Sequence, residues 1–204
     1  MCGIFGVINT KEIIDESRVI AARDVLAHRG PDDAGIYISP CHPEPVEGSP
    51  FVVLAHRRLS IIDLSPAGHQ PMTTNDGRFT IVYNGEIYNY KGLIPNPSPK
   101  EKGVFKSNSD TEVILHLYAK YGKDCLNMLR GMFAFAIWDE QEKTLFAARD
   151  RFGIKPFYYL VNDDEFIFSS ELKAIKHYKG NLKTNYKALD AFLRTGSVPA
   201  PLTI

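Results

Sequence analysis

Residues 132–138 read Met-Phe-Ala-Phe-Ala-Ile-Trp, apolar at both of the positions that alternate along an extended chain. Strand side chains point to opposite faces with period two, so this segment must be covered on both sides, as the central strand of a layered domain. Residues 3–9 predict a second buried strand, with glycines at 3 and 6. A helical segment follows in which Ile14, Ala21 and Val25 share a face, and His28-Arg29-Gly30-Pro31-Asp32 breaks it. Extended segments are expected at 35–39, 51–56, 79–83, 144–149, 156–161 and 165–169, with Asn162-Asp163-Asp164 joining the last two as a hairpin. Between 109 and 122 the period changes. Ser109-Asp110-Thr111-Glu112 reads as a capping box, Val113, Ile114, Leu117, Tyr118 and Tyr121 form an apolar face, and Gly122 ends the helix. A further amphipathic helix is expected at 186–195. With roughly eight strands, few helices and no βαβ alternation, the pattern predicts an α+β domain of two antiparallel sheets with helices outside them.

The chain has 204 residues, 44% of them hydrophobic, and its 24 Lys+Arg balance 24 Asp+Glu. One sizeable core is expected, and a formal charge of zero argues against a nucleic-acid partner. Cys2, Cys41 and Cys125 are odd in number and lack CxxC spacing, which fits a reducing, cytoplasmic setting better than a disulfide framework. No charged leader with an apolar core precedes Cys2, and no apolar run reaches the ~20 residues of a membrane helix. The six histidines show no HxH or HExxH spacing, and neither GxxxxGK[ST] nor GxGxxG occurs, so no metal site or phosphate loop is expected. Two proline-rich stretches, within 40–50 and 94–104, read as loops. The apolar pattern of 198–204 stops mid-phrase, as in a chain that continues.

Cys2 stands directly behind the initiator methionine. If Met1 is removed, one residue carries both a thiol nucleophile and, on its own α-nitrogen, a base whose pKa of about 7.7–8.0 leaves a useful fraction unprotonated near neutrality. A small buried apolar role at the start of a strand is the alternative. Arg58, ending an apolar run, is either a solvated surface residue or a fork for a carboxylate. Asn84-Gly85 is by default a type I′ turn, yet it also sets a side-chain NH₂ beside an unhindered backbone N–H, the donor pair an oxyanion hole requires. Asp110 either complements a helix dipole or pairs with a ligand ammonium.

These pieces occur in a familiar order. Met1-Cys2-Gly3-Ile4-Phe5-Gly6, His28-Arg29-Gly30-Pro31-Asp32, Arg58-Leu59-Ser60-Ile61-Ile62-Asp63, Asn84-Gly85-Glu86-Ile87-Tyr88-Asn89, Ser109-Asp110-Thr111-Glu112, Gly131-Met132-Phe133-Ala134-Phe135 and Arg149-Asp150-Arg151-Phe152-Gly153-Ile154-Lys155-Pro156 together resemble the glutaminase domain of glutamine-hydrolysing asparagine synthetases. The last of these blocks, Arg149 to Pro156, together with Ser169-Ser170-Glu171 favours this branch over other N-terminal-cysteine amidotransferases. The resemblance implies an N-terminal-nucleophile hydrolase fold, an αββα sandwich. It further implies Cys2 as the nucleophile, Asn84 and Gly85 as the oxyanion hole, Arg58 on the glutamine α-carboxylate and Asp110 on its α-amino group. Leu59, Ser60, Ile61, Ile62 and Glu86 would line the pocket.

By the same resemblance, residues 1–185 form the glutaminase domain and 186–204 begin a connection to a synthetase domain absent from this chain. That domain would use ATP and Mg to convert aspartate to asparagine with the released ammonia, the glutaminase itself needing no cofactor. The implied partners are L-glutamine and the synthetase domain, with a homodimer left open. The stretches 40–50 and 94–104 depart from the family pattern without touching a matched residue. The alternatives are an amidotransferase with another ammonia acceptor, or a catalytically silent binding domain that retains Met1.

Overall fold

The computed structural model describes residues 1–40, 50–93, 105–200 and 202–203. The two proline-rich stretches and Cys41 fall largely or wholly outside the described residues. The strands are β1 (Gly3–Asn9), β2 (Asp33–Ile38), β3 (Phe51–Arg58), β4 (Met72–Thr73), β5 (Phe79–Ile87), β6 (Gly131–Asp139), β7 (Thr144–Arg149), β8 (Tyr158–Val161) and β9 (Glu165–Ser169). The helices are α1 (Glu16–Asp24), α2 (Tyr90–Leu93), α3 (Asp110–Tyr121), α4 (Leu172–Lys179) and α5 (Tyr186–Thr195). One antiparallel sheet has the order β2-β3-β1-β9-β8, the other β4-β5-β6-β7.

The period-two pattern assigns each strand's faces. In the first sheet Phe5, Val7, Phe51, Val53, Ala55 and Ile167 pack outward against Val19, Ala22, Ala174 and Ile175 of α1 and α4. In the second, Ile81, Tyr83, Phe133, Phe135 and Ile137 pack outward against Val113, Ile114 and Leu117 of α3. The opposite faces, Ile4, Val52 and Leu54 on one side and Val82, Ala134, Ala136 and Trp138 on the other, meet with Phe168 to form the layer between the sheets. The result is an αββα sandwich, and β6 is covered on both faces as its sequence requires.

Several local readings change. Asp15 caps α1, its Oδ1 accepting from Ser17 N at 2.9 Å, so the helix begins after Ile14 and turns Val19, Ala22 and Leu26 inward while Ala21 is exposed and Val25 only half-buried. Ser109 caps α3, but Glu112 does not complete a capping box. Its carboxylate instead accepts from Lys106 N (2.9 Å) and Ser107 N (2.7 Å), tying the preceding loop down. Tyr121 lies outside the apolar face, 42% exposed. The segment expected at 79–83 runs on to Ile87, so Asn84-Gly85 is not a turn: Asn84 pairs with Ala134 and Gly85 with Phe133 across the sheet. The last hairpin forms as read, with Asn162 Oδ1 accepting from Asp164 N and Glu165 N, although β8 begins only at Tyr158.

Gly6 sits where the sheets close most tightly: a Cβ there would lie 2.3 Å from the Phe168 ring and 3.1 Å from Leu54. Both neighbours are fully buried. Gly6→Ala is expected to destabilise the fold by about 1–3 kcal/mol, and Phe168→Leu in the same chain should recover part of that loss. Urea midpoints of the two single variants and the double variant measure it; strictly additive losses would show that the ring is not what the new methyl meets.

Candidate active site

The even-numbered positions that face the inter-sheet layer continue past the apolar core to one end of the sandwich. On β3 the series Val52, Leu54 ends in His56 and Arg58; on β5 Thr80, Val82 leads to Asn84 and Glu86; Cys2 stands one step before β1 on the parity of Ile4. The register pairs Gly3 with Arg57 and Ile87 with Gly131, so the start of β1, the end of β3 and the end of β5 come together there. Asp110, first residue of α3, reaches the same end, its Oδ2 accepting from Ile87 N at 2.9 Å and Tyr83 Oη at 2.8 Å.

The geometry of β5 decides what this end can do. β4 pairs only with Thr80 and Ile81, leaving the rest of that edge without a strand. Tyr83 N donates instead to Gln70 Oε1 (2.7 Å), and Tyr83 O accepts from His56 Nε2 (3.0 Å). Since Tyr83 and Ile87 both turn their N–H groups to this edge, Gly85 between them does so too, and the N–H of its partner Phe133 turns away to Asp150. Among the described residues Gly85 N–H has no acceptor. Asn84, 1% exposed, likewise carries a side-chain Nδ2 with no partner. A buried donor without a partner, such as Asn84 Nδ2, is costly unless something else uses it, and the half-buried Gly85 N–H lies next to it. Gly85 itself admits no side chain, for a Cβ would lie 2.4 Å from Met132 O.

At the same end, Cys2 Sγ accepts from Leu59 N at 3.4 Å. Burial raises the thiol pKa, opposed by the Leu59 N–H, the terminal ammonium and Arg58. Arg58 is 7% exposed, and its guanidinium donates to the carbonyls of Ser65 (3.1 Å) and Asp63. It is therefore not a solvated surface arginine. Burial also raises the Asp110 pKa, against its two hydrogen bonds, and lifts Tyr83 well above the phenol range. Ser60 N is held by Asp32 Oδ2 at 2.7 Å, whereas Ile61 is 69% exposed, Ile62 half-buried and Glu86 exposed. Met1 projects outward, 56% exposed, and burial together with Arg29 and Lys155 lowers its amine pKa.

The family model for a glutamine amidotransferase domain matches residues 1–204. This chain belongs to the glutamine amidotransferase domain family. It is 41% identical to asparagine synthetase [glutamine-hydrolyzing] 3 of Bacillus subtilis over 86% of this chain and 27% of that protein. With asparagine synthetase [glutamine-hydrolyzing] 1 of the same organism it shares 38% over 100% of this chain and 31% of that protein. The chain thus spans about a third or less of both relatives. Among solved structures, the glutamine phosphoribosylpyrophosphate amidotransferase of B. subtilis superposes with a TM-score of 0.65 at 23% identity, over 87% of this chain and 43% of that one, which shows the N-terminal-nucleophile hydrolase fold.

Three residues of this amidotransferase domain belong to the site although residue-by-residue reading did not single them out. Arg29 Nε donates to Cys2 O (3.0 Å) and its Nη1 to Glu171 (3.0 Å); burial disfavours the Glu171 carboxylate, but Arg29, His28 and Lys173 bring its pKa down to about 2. Ser170 Oγ accepts from Ile4 N at 3.0 Å. His56 joins the two sheets. Facing a carbonyl, its Nε2 carries the proton, which leaves Nδ1 as an unpartnered acceptor, and complete burial lowers its pKa to about 4. The parity of β3 is the signal that could have found His56, since a polar residue on an otherwise apolar face needs a reason.

Because unfolded His56 titrates near 6.5 and the folded form near 4, the unfolded chain binds the extra proton between those values. Stability is then complete above pH 6.5 and falls as pH drops toward 4, by on the order of 3 kcal/mol. His56→Gln keeps an N–H donor without the titration and should flatten this part of the acid limb. Urea midpoints at pH 7 and pH 4.5 compare the two; parallel losses in both proteins would show that His56 is not the titrating group.

Proposed function

We propose that this chain is the glutaminase unit of a glutamine-hydrolysing asparagine synthetase, with Cys2 as nucleophile after removal of Met1. The observation that carries the reading is the pair of unpaired donors, Asn84 Nδ2 and Gly85 N–H, at the end of the sandwich that also holds the half-buried thiol of Cys2. Excision transfers the free α-amine to Cys2, where it takes the thiol proton. The sulfur attacks the side-chain carbonyl carbon of glutamine, and the developing oxyanion lies between the two donors, which meet charge formed only in the transition state. The α-ammonium returns its proton to the departing nitrogen and ammonia leaves. Water then adds to the thioester with the amine again as base, and glutamate is released.

Arg58 suits the α-carboxylate because its guanidinium is pre-set by two carbonyls, and Asp110 suits the α-ammonium because a buried carboxylate gains most from a cation beside it. Leu59, Ser60, Ile61, Ile62 and Glu86 form the rim. We place the glutaminase within residues 1–185 and read 186–204 as a connection, since α5 buries Ala188 while exposing Tyr186, Phe192 and Leu193. The names of the relatives, glutamine-hydrolysing asparagine synthetases, support use of the ammonia in making asparagine; in this proposal a further synthetase domain does so from aspartate with ATP and Mg.

Ammonia release by processed protein, with Met1 loss checked by intact mass, tests the reading. Cys2→Ala should abolish it, and continued release from that variant would overturn the assignment. Asn84→Ala should lower kcat by ~10²–10³, or about 2.7–4 kcal/mol, with little change in unfolding midpoint because its Nδ2 has no partner to lose. Arg58→Lys should raise KM for glutamine, since a point charge does not replace the fork; an unchanged KM would remove Arg58 from the substrate.

A further inference from the structure

Lys155 is 6% exposed, yet among the described residues its ammonium has no hydrogen-bond or ion-pair partner. Its place is set by the turn that precedes it. The Asp150 carboxylate accepts from Phe133 N (3.2 Å), Phe152 N (3.2 Å), Ile154 N (2.9 Å) and Lys155 N (2.9 Å), and Arg149 donates to Lys155 O. Phe133 is the strand neighbour of Gly85, so this turn is anchored against the strand that carries the two unpaired donors. On the other side, Pro156 lines one cleft with Arg29 and Ser170, the residues that hold Cys2 and Ile4.

The ionisable groups in electrostatic reach of Lys155 are Arg29, Cys2, Glu86, Asp150 and the terminal amine. Arg58 and Asp110 act on Cys2, and Asp32 on the amine. Most of the acids are already engaged. Asp150 accepts from four N–H groups, Asp110 accepts from Tyr83 and Ile87 through Oδ2, and Asp32 accepts from Ser60, while Asp32 and Glu86 are exposed and screened by solvent. A buried ammonium without a partner is expensive, and of the anionic groups that favour it Cys2 comes first, ahead of Glu86 and Asp150.

We propose that Lys155 is a positioning residue for the charge of the nucleophile: its buried ammonium supplies the fixed positive field that favours sulfur as thiolate and the neighbouring α-amine as free base. This rests on the reading of Cys2 as the nucleophile. A charge acting through partly buried space should move the acid limb of Cys2 reactivity by about 0.5–1 pH unit.

The test uses the full chain after Met1 removal. The rate of Cys2 alkylation by iodoacetamide, read on the N-terminal peptide by mass spectrometry, and kcat/KM for ammonia release are followed against pH in wild type, Lys155→Met, Lys155→Gln and Lys155→Arg. Both neutral variants should shift the midpoint upward in both measurements, and Lys155→Arg should restore it. Profiles of the neutral variants that superimpose on wild type would overturn the proposal, as would an arginine variant displaced as far as they are, which would mark Lys155 as packing alone. If alkylation shifts as expected in a protein that never releases ammonia, the tuning stands and the glutaminase reading falls. Lys155→Gln keeps the test usable should the methionine variant fail to fold.

Discussion

A strand edge left half-covered governs this molecule. β4 is only two residues long, so from Val82 onward β5 has a neighbour on one side alone, and its outer backbone groups must be satisfied by side chains or by nothing. Gln70 from the loop before β4, His56 from β3 and Asp110 from α3 arrive to meet Tyr83 and Ile87. Between those two anchored positions Gly85 keeps a free N–H, aimed by the pleat rather than by any flexible loop. A donor between two anchored positions of a strand moves little, which is what pre-organised charge stabilisation needs.

The same edge explains why the site is buried yet polar. His56 and Asn84 continue the alternating pattern that elsewhere carries valine, leucine and alanine, so each is presented to the inner space by the geometry that builds the core, whereas Asp110 reaches the site from the first turn of α3. Low dielectric strengthens each interaction and penalises each unpaired group. His56 responds by staying neutral, whereas Asp110 and Tyr83 share a hydrogen bond that holds both in place.

Much of the architecture was legible because burial imposes periodicity: the doubly apolar run 132–138, the helix after Ser109 and the α5 segment all appear where the pattern puts them. Asn84-Gly85 was ambiguous because the pair usually makes a turn, and only the pairing with Phe133 and Ala134 keeps it extended. Asp15 shifted the phase of α1, a capping effect that side-chain hydrophobicity does not register. At the site, residue chemistry and family likeness together marked Cys2, Arg58, Asn84, Gly85 and Asp110. Arg29, His56 and Lys155 gain their importance from partners far away in the chain, and a contact between residues 2 and 29 has no local signature.

The tether on Cys2 has a kinetic meaning. Chain ends ordinarily fray, and a reactive group on one would have to be immobilised afresh in every turnover. Here Arg29 grips the carbonyl of Cys2, while Ile4 exchanges hydrogen bonds with both the side chain and the backbone of Ser170. The loss of freedom is incurred once, when the sheets assemble, so under the proposed role of Cys2 an arriving amide would meet a residue that already behaves like the interior of a strand.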